Sequence, residues 1–156
     1  MSPEENERLT RVGPGTPGGN MMRRYWWPIG FTELVTDKPF PVRILGEDLV
    51  LFREPGGTLG LIDKHCPHRG ASLEFGRIEE GGLRCCYHGW KFSADGRCCD
   101  MPAESPGSPL MAEARLSAYK TQEVAGLIFA YLGPDPAPQL PRYDNLYRTD
   151  CIRRIG

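Results

Sequence analysis

Histidine is the scarcest useful residue here, with three in 156 positions. Long hydrophobic runs are missing as well. No apolar stretch reaches the roughly 18 residues that a membrane span needs, and the N-terminus has no hydrophobic signal core, so a cytoplasmic chain without a membrane segment is expected. An excess of charge of one sign is also absent. With 19 Lys and Arg against 20 Asp and Glu the net charge is −1, which argues against nucleic-acid or anionic-membrane partners. Uninterrupted helix-forming sequence is short too. The 19 Gly and 15 Pro are far above the usual combined share and predict many turns and few long helices.

What is present is an ordinary globular composition, 40% hydrophobic and 25% charged, at a length that supports one core. The six cysteines would suit a disulfide scaffold in a small secreted domain. In a chain able to build a core unaided, clustered Cys point instead to metal binding or free thiols.

Ser2-Pro3-Glu4-Glu5 has the capping-box pattern, with Pro at the first helical position, and predicts a helix over about 3–11. The Gly/Pro-rich stretch 13–19 is expected to follow as a surface loop. Residues 25–35 read as a strand that Pro28 confines to an edge or a bulge. Residues 42–45 and 49–53 around Gly46-Glu47-Asp48, then 59–63 after Pro55-Gly56-Gly57-Thr58, read as consecutive hairpins. Two further hairpins join 90–93 to 97–100 and 119–124 to 127–132. Short strands at this spacing predict an all-β domain of small antiparallel sheets with one short N-terminal helix. Between the last two hairpins, 101–109 should cross the surface irregularly. The Pro-rich exit 133–138 cannot sustain a helix, and 140–156 is too short to bury its own hydrophobic residues. It reads as a lead into something absent or an arm for a neighbour.

Two loops carry most of the chemistry: His65-Cys66-Pro67-His68-Arg69-Gly70 and Cys85-Cys86-Tyr87-His88-Gly89-Trp90. Each offers a thiol and an imidazole. The 16 residues between His68 and Cys85 allow one loop to leave a site, form a short ladder, and let the other return. A structural zinc accepts two Cys and two His, but zinc fingers usually pair like donors on one local element. In a Rieske centre one iron of a 2Fe-2S cluster has two Cys ligands and the other two His, so each loop can give one ligand to each iron. The interleaving here matches that arrangement. Gly70 and Gly89 would let backbone N–H groups approach the sulfurs without a Cβ in the way. Spacing leaves the second-loop sulfur open, because Cys86-x-His88 would mirror Cys66-x-His68.

Cys66-Pro67-His68-Arg69-Gly70-Ala71 and Cys85-Cys86-Tyr87-His88-Gly89-Trp90-Lys91-Phe92 resemble the C-x-H and C-x-x-H boxes of the Rieske domain of aromatic-ring-hydroxylating oxygenases, the phthalate dioxygenase and vanillate demethylase type in particular. Arg24-Tyr25-Trp26-Trp27-Pro28 and Asp100-Met101-Pro102-Ala103-Glu104 share in the likeness. The resemblance implies a Rieske fold and a 2Fe-2S cluster on Cys66, His68, Cys85 and His88, with Cys85 rather than Cys86 as the second sulfur ligand. Cytochrome-bc-type Rieske proteins join the loops by a disulfide. Ala71 and Tyr87 stand in those places here, so packing and hydrogen bonds must hold the loops.

The resemblance also divides the chain into a helical, Gly/Pro-rich lead (1–23), a Rieske domain (24–133, with ligand loops 65–71 and 85–92) and a Pro-rich exit (134–156) that begins a missing C-terminal catalytic domain. That domain would hold a mononuclear non-haem Fe(II) on two His and one carboxylate. With His68 and His88 in the cluster, only His65 remains, so the second iron site cannot be built from this stretch. The implied role is one-electron transfer from a reductase or ferredoxin to that iron, in the same or a neighbouring subunit of a trimeric homo-oligomer. A stand-alone Rieske ferredoxin and a structural Cys2His2 zinc module are the alternatives. The other candidates have plainer readings: His65 as a solvated or hydrogen-bonded residue, Cys86, Cys98, Cys99 and Cys151 as small hydrophobes without a role, and Trp26, Trp27 and Trp90 as core; Arg69 reads equally as surface packing or as a group that docks a partner or donates to a carboxylate.

Overall fold

The computed structural model describes residues 1–105 and 107–150. The chain divides into two compact units, Val35–Tyr119 and the chain on either side of it, Met1–Leu34 with Lys120 onward. All the sheets are antiparallel, as the hairpin spacing predicts.

In the unit formed by the two flanking segments, helix α1 (Pro3–Thr10) starts at the expected capping box, with Ser2 Oγ accepting from the Glu5 amide and Glu5 reaching back to the Ser2 amide. The expected loop over 13–19 needs correction. A second helix, α2 (Pro17–Met22), begins within it, because Thr16 caps the Gly19 amide and Pro17 sits at the first helical position, where its missing N–H costs nothing. Strand β1 (Trp26–Phe31) is an edge strand with a register shift between Pro28 and Gly30, the place proline tolerates. It pairs with β10 (Leu127–Tyr131), which pairs with β9 (Lys120–Val124). Trp26, Phe129 and Tyr131 form this unit's cluster, and Ala137, Leu140 and Leu146 pack against it. Trp26 Nε1 donates to the Pro138 carbonyl at 2.8 Å. The segment from Leu140 therefore covers its own unit's cluster in part, where a lead into something absent or an arm for a neighbour was expected. Asp144–Tyr147 forms a single helical turn, α4. Cys151 lies outside the described residues.

In the unit Val35–Tyr119, β2 (Phe40–Ile44), β3 (Glu47–Arg53) and β4 (Leu59–Asp63) form a meander with β3 in the middle. The turn between β2 and β3 is Leu45-Gly46, both at positive φ, earlier than the expected Gly46-Glu47-Asp48. The second sheet runs β5 (Arg77–Glu79), β6 (Gly82–Arg84), β7 (Lys91–Phe92), β8 (Cys98–Asp100). A short helix, α3 (Pro109–Glu113), starts at the last residue of the expected irregular crossing. Val50, Phe52, Ile62, Leu73, Leu83 and Phe92 are fully buried in the core that the two sheets share, each contributing on the order of 2 kcal/mol by burial. Cys66, Cys85 and Trp90 belong to the same core. The ligand loops are therefore anchored in this core. The first leaves β4, and the second bridges β6 and β7.

Candidate metal centre

The two loops close on themselves with the same pair of backbone hydrogen bonds. In the first, the Cys66 amide donates to Ala71 O at 2.9 Å and the Gly70 amide to Cys66 O at 2.8 Å. In the second, the Cys85 amide donates to Trp90 O at 2.8 Å and the Gly89 amide to Cys85 O at 3.2 Å. Along this shared frame Cys85 stands where Cys66 does, and Gly89 where Gly70 does. Both cysteines are buried, 2% and 4% exposed, whereas Cys86 is exposed. His68 falls at the third position of its loop and His88 at the fourth.

Gly70 and Gly89 have φ of 70° and 76°, a region in which side chains are strained. Their own amides close the turns on the Cys carbonyls. It is the amides of His68 and Arg69 that donate to the Cys66 sulfur.

Burial pushes the Cys66 thiol up to about 11, the His68 and Arg69 amides oppose that shift, and the neighbouring Cys85 thiol adds to it by charge and hydrogen bond. The two sulfurs are thus direct neighbours, and a metal would have to displace the proton that burial holds on Cys66. The imidazoles also pair. The His68 and His88 rings are 4.5 Å apart, centroid to centroid, inclined at 62°. Trp90, from the second loop, stacks on His68 of the first at 4.6 Å and 5°, and the Tyr87 ring lies 3.8 Å from His88. Desolvation, and then the positive neighbours His88 and Arg69, hold His68 below its usual value. His88 and Tyr87 are exposed and His68 is half-buried. The loops are joined by ring packing where the bc-type proteins use a covalent bond.

Among the described residues no three His, Cys, Asp or Glu side chains gather as the shell of one metal ion. Here like donors pair, sulfur with sulfur in the core and nitrogen with nitrogen at the tip. Such a set fits two metal ions, one on each pair.

The remaining candidates fall largely as read from sequence. His65 is exposed, with its amide on Asp63 Oδ1 at 2.9 Å and its ring nitrogen 4.0 Å from the same oxygen. Arg69 is exposed. Trp26 and Trp90 are buried, and Trp27 Nε1 donates to the Met22 carbonyl at 2.8 Å. Cys98 is a buried free thiol pushed up by desolvation. Cys86 and Cys99 are free but exposed, against the expectation of small buried hydrophobes. Cys99 nonetheless tucks its sulfur toward Gly81 O and Lys91 O, at 3.6 and 3.4 Å.

Sequence reasoning missed Arg84, which is 18% exposed and ion-paired to Glu79 and Asp100 at 2.9 and 2.8 Å. Hydrogen bonds from Arg84 and Arg77 hold the Glu79 carboxyl below its usual value. The only signal was its position beside Cys85.

Among the described residues, no helix is long and apolar enough to cross a membrane. The chain is 48% identical over 159 residues to the 5,5'-dehydrodivanillate O-demethylase oxygenase subunit of Sphingobium sp., covering 99% of this chain and 38% of that protein. To the phenoxybenzoate dioxygenase subunit alpha of Ectopseudomonas oleovorans it is 51% identical over 140 residues, 89% of this chain and 34% of that protein. Its structure is similar to dicamba monooxygenase with non-heme iron and dicamba, with a TM-score of 0.69 at 28% identity over 78% of this chain and 38% of that one. It is also similar to the oxygenase and ferredoxin complex of carbazole 1,9a-dioxygenase, with a TM-score of 0.66 at 31% identity over 76% of this chain and 31% of that one. The chain spans between a third and two fifths of the length of these curated relatives. Residues 26–124 match the family described as the Rieske 2Fe-2S domain, and this chain, with its small antiparallel sheets and two-loop site, belongs to that family.

Proposed function

We propose that Cys66 and Cys85 hold one iron, and His68 and His88 the other, of a Rieske 2Fe-2S cluster, and that residues 24–133 act as the electron-transfer domain of an aromatic-ring dioxygenase or O-demethylase. The observation that carries this reading is the separation of donors into a buried sulfur pair and an outward imidazole pair on one repeated loop frame. When bound, the cluster supplies one-electron transfer at a potential raised by its His ligands.

The chain's residues set the conditions for that transfer. Burial of Cys66 and Cys85 keeps water from the sulfurs. The amides of His68 and Arg69 stabilise charge on Cys66. Outer nitrogens of the exposed His88 and half-buried His68 are free to meet a partner carboxylate.

The electron donor is a reductase or a ferredoxin, a reading supported by the similarity to an oxygenase–ferredoxin complex. The acceptor is a mononuclear iron on two His and a carboxylate, held by a catalytic domain of the same or a neighbouring subunit in a homo-oligomer, a trimer. The greater length of the oxygenase-subunit relatives supports a further domain, and residues 134–156 would lead into it. Metal and sulfide analysis with EPR of the reduced chain tests the assignment. Two irons, two acid-labile sulfides and a Rieske-type signal are expected; one colourless zinc per chain would overturn it.

A further inference from the structure

Arg84 ends β6, immediately before Cys85. Its guanidinium bridges the whole second sheet: Nε donates to Glu79 Oε2 on β5 at 2.9 Å, and Nη1 to Asp100 Oδ2 on β8 at 2.8 Å. These are the two edge strands of the order β5-β6-β7-β8. Nη1 also donates to the Gly89 carbonyl at 2.6 Å.

We infer that Arg84 is the positioning residue of the second ligand loop, gripping the Gly89 carbonyl and thereby fixing the backbone that carries His88. The inference rests on the proposed cluster for its consequence, but not for its geometry.

The two loops share one backbone frame, yet the imidazole comes one residue later in the second. His88 therefore stands directly before Gly89, and the gripped carbonyl is the next one along the chain. A guanidinium donates in fixed, planar directions, and here both carboxylates that orient it come from strands of the sheet. The residue before Cys66, by contrast, is the exposed His65, whose ring lies 4.0 Å from Asp63. The first loop has Trp90 stacked on its ligand; the second has Arg84 beneath its backbone. Arg84 also balances two carboxylates near the cluster, a role of charge that substitution can separate from the role of position. Lys at this position keeps the charge and loses the fork. Gln loses the charge and leaves Glu79 and Asp100 uncompensated.

The test uses the full chain with Arg84→Lys, Arg84→Gln, and Arg77→Lys as a control. Arg77 pairs with Glu79 but lies on β5. Hydrogen exchange is followed in the metal-free protein, and EPR and the reduction potential in the loaded one. Loss of one charge-assisted hydrogen bond should speed exchange of the Gly89 amide about tenfold or more in both Arg84 variants. Both should broaden the EPR signal, and only Arg84→Gln should lower the potential, since reduction then adds negative charge beside two unbalanced carboxylates. Asp100→Asn, which leaves Arg84 in place but removes one support, should give the same exchange change in smaller measure. Wild-type exchange and line shape in Arg84→Lys would overturn the inference, as would equal effects in Arg77→Lys. A wild-type chain that binds no 2Fe-2S cluster would defeat the cluster reading alone, because exchange in the metal-free chain still decides whether Arg84 grips the loop.

Discussion

Gly70 and Gly89 hold the same place in the two loops and the same backbone region, yet their surroundings differ. A Cβ at Gly70 would meet nothing within 4 Å, whereas one at Gly89 would lie 3.1 Å from Pro102 Cγ and 3.6 Å from its Cδ. Alanine at Gly70 incurs the left-handed penalty, roughly 1–2 kcal/mol, offset by about 0.4–1 kcal/mol from the stiffer unfolded chain. The net loss of about 1 kcal/mol lowers Tm by roughly 2–4 °C in a chain of this size. Gly89→Ala carries the same contributions and adds overpacking against the proline ring, about 1–3 kcal/mol where neighbours cannot yield. Its Tm should fall at least twice as far. The new methyl group also pushes on the segment whose carbonyl Arg84 holds, so Gly89→Ala should retain less iron after reconstitution while Gly70→Ala retains the wild-type amount. Urea unfolding of the metal-free variants and iron analysis of the loaded ones measure both effects. Equal destabilisation of the two variants would refute the claim that Pro102 confines the second loop.

Three other outcomes follow from the same geometry. Cys85→Ser should abolish the Rieske EPR signal and Cys86→Ser should leave it intact; the reverse pattern would show that the shared loop frame does not choose the ligand. Cys66 rises from an ordinary value of 9.0 to about 11 in the folded metal-free chain, so unfolded molecules ionise first as pH climbs. The stabilisation is complete below about 9 and disappears toward 11; urea midpoints across that window should fall, and Cys66→Ala should flatten the slope. Trp90→Leu removes the ring stacked on His68 and should cost about 2 kcal/mol while broadening the EPR signal. Trp90→Phe should recover most of both, and an unchanged spectrum in Trp90→Leu would show that the stack does not hold the ligand.

Much of the fold was legible because its signals are local. Alternation and turn residues mark the hairpin at Ala94-Asp95-Gly96, and Pro28 marks an edge strand because it cannot donate to a ladder. The ligand boxes were legible for a similar reason: two thiols and two imidazoles in interleaved order suit few centres other than a Rieske cluster. Where the reading failed, one local signal was overruled by another or by a distant partner. Three glycines in 13–18 concealed Thr16-Pro17, a helix start that needs only a cap and a fixed φ. Leu45 takes a positive φ that leucine does not advertise. Leu140 and Leu146 looked unsupported because the cluster they cover comes from strands far away in sequence.

The second sulfur ligand shows the same division most sharply. Counting from His88 backwards, Cys85 and Cys86 are equally plausible, since either makes a short box. Counting from the backbone hydrogen bonds, the two differ completely. Cys85 closes its turn on Gly89 and Trp90 as Cys66 does on Gly70 and Ala71, and burial accompanies that position. Spacing to a partner ligand says how far apart two donors are along the chain. The turn that carries them decides which one faces the core, and its hydrogen bonds are made by main-chain groups that every residue possesses. Arg84 was hidden by the same logic: its partners Glu79, Gly89 and Asp100 are spread over 22 residues of sequence and meet only when β5 and β8 flank the sheet.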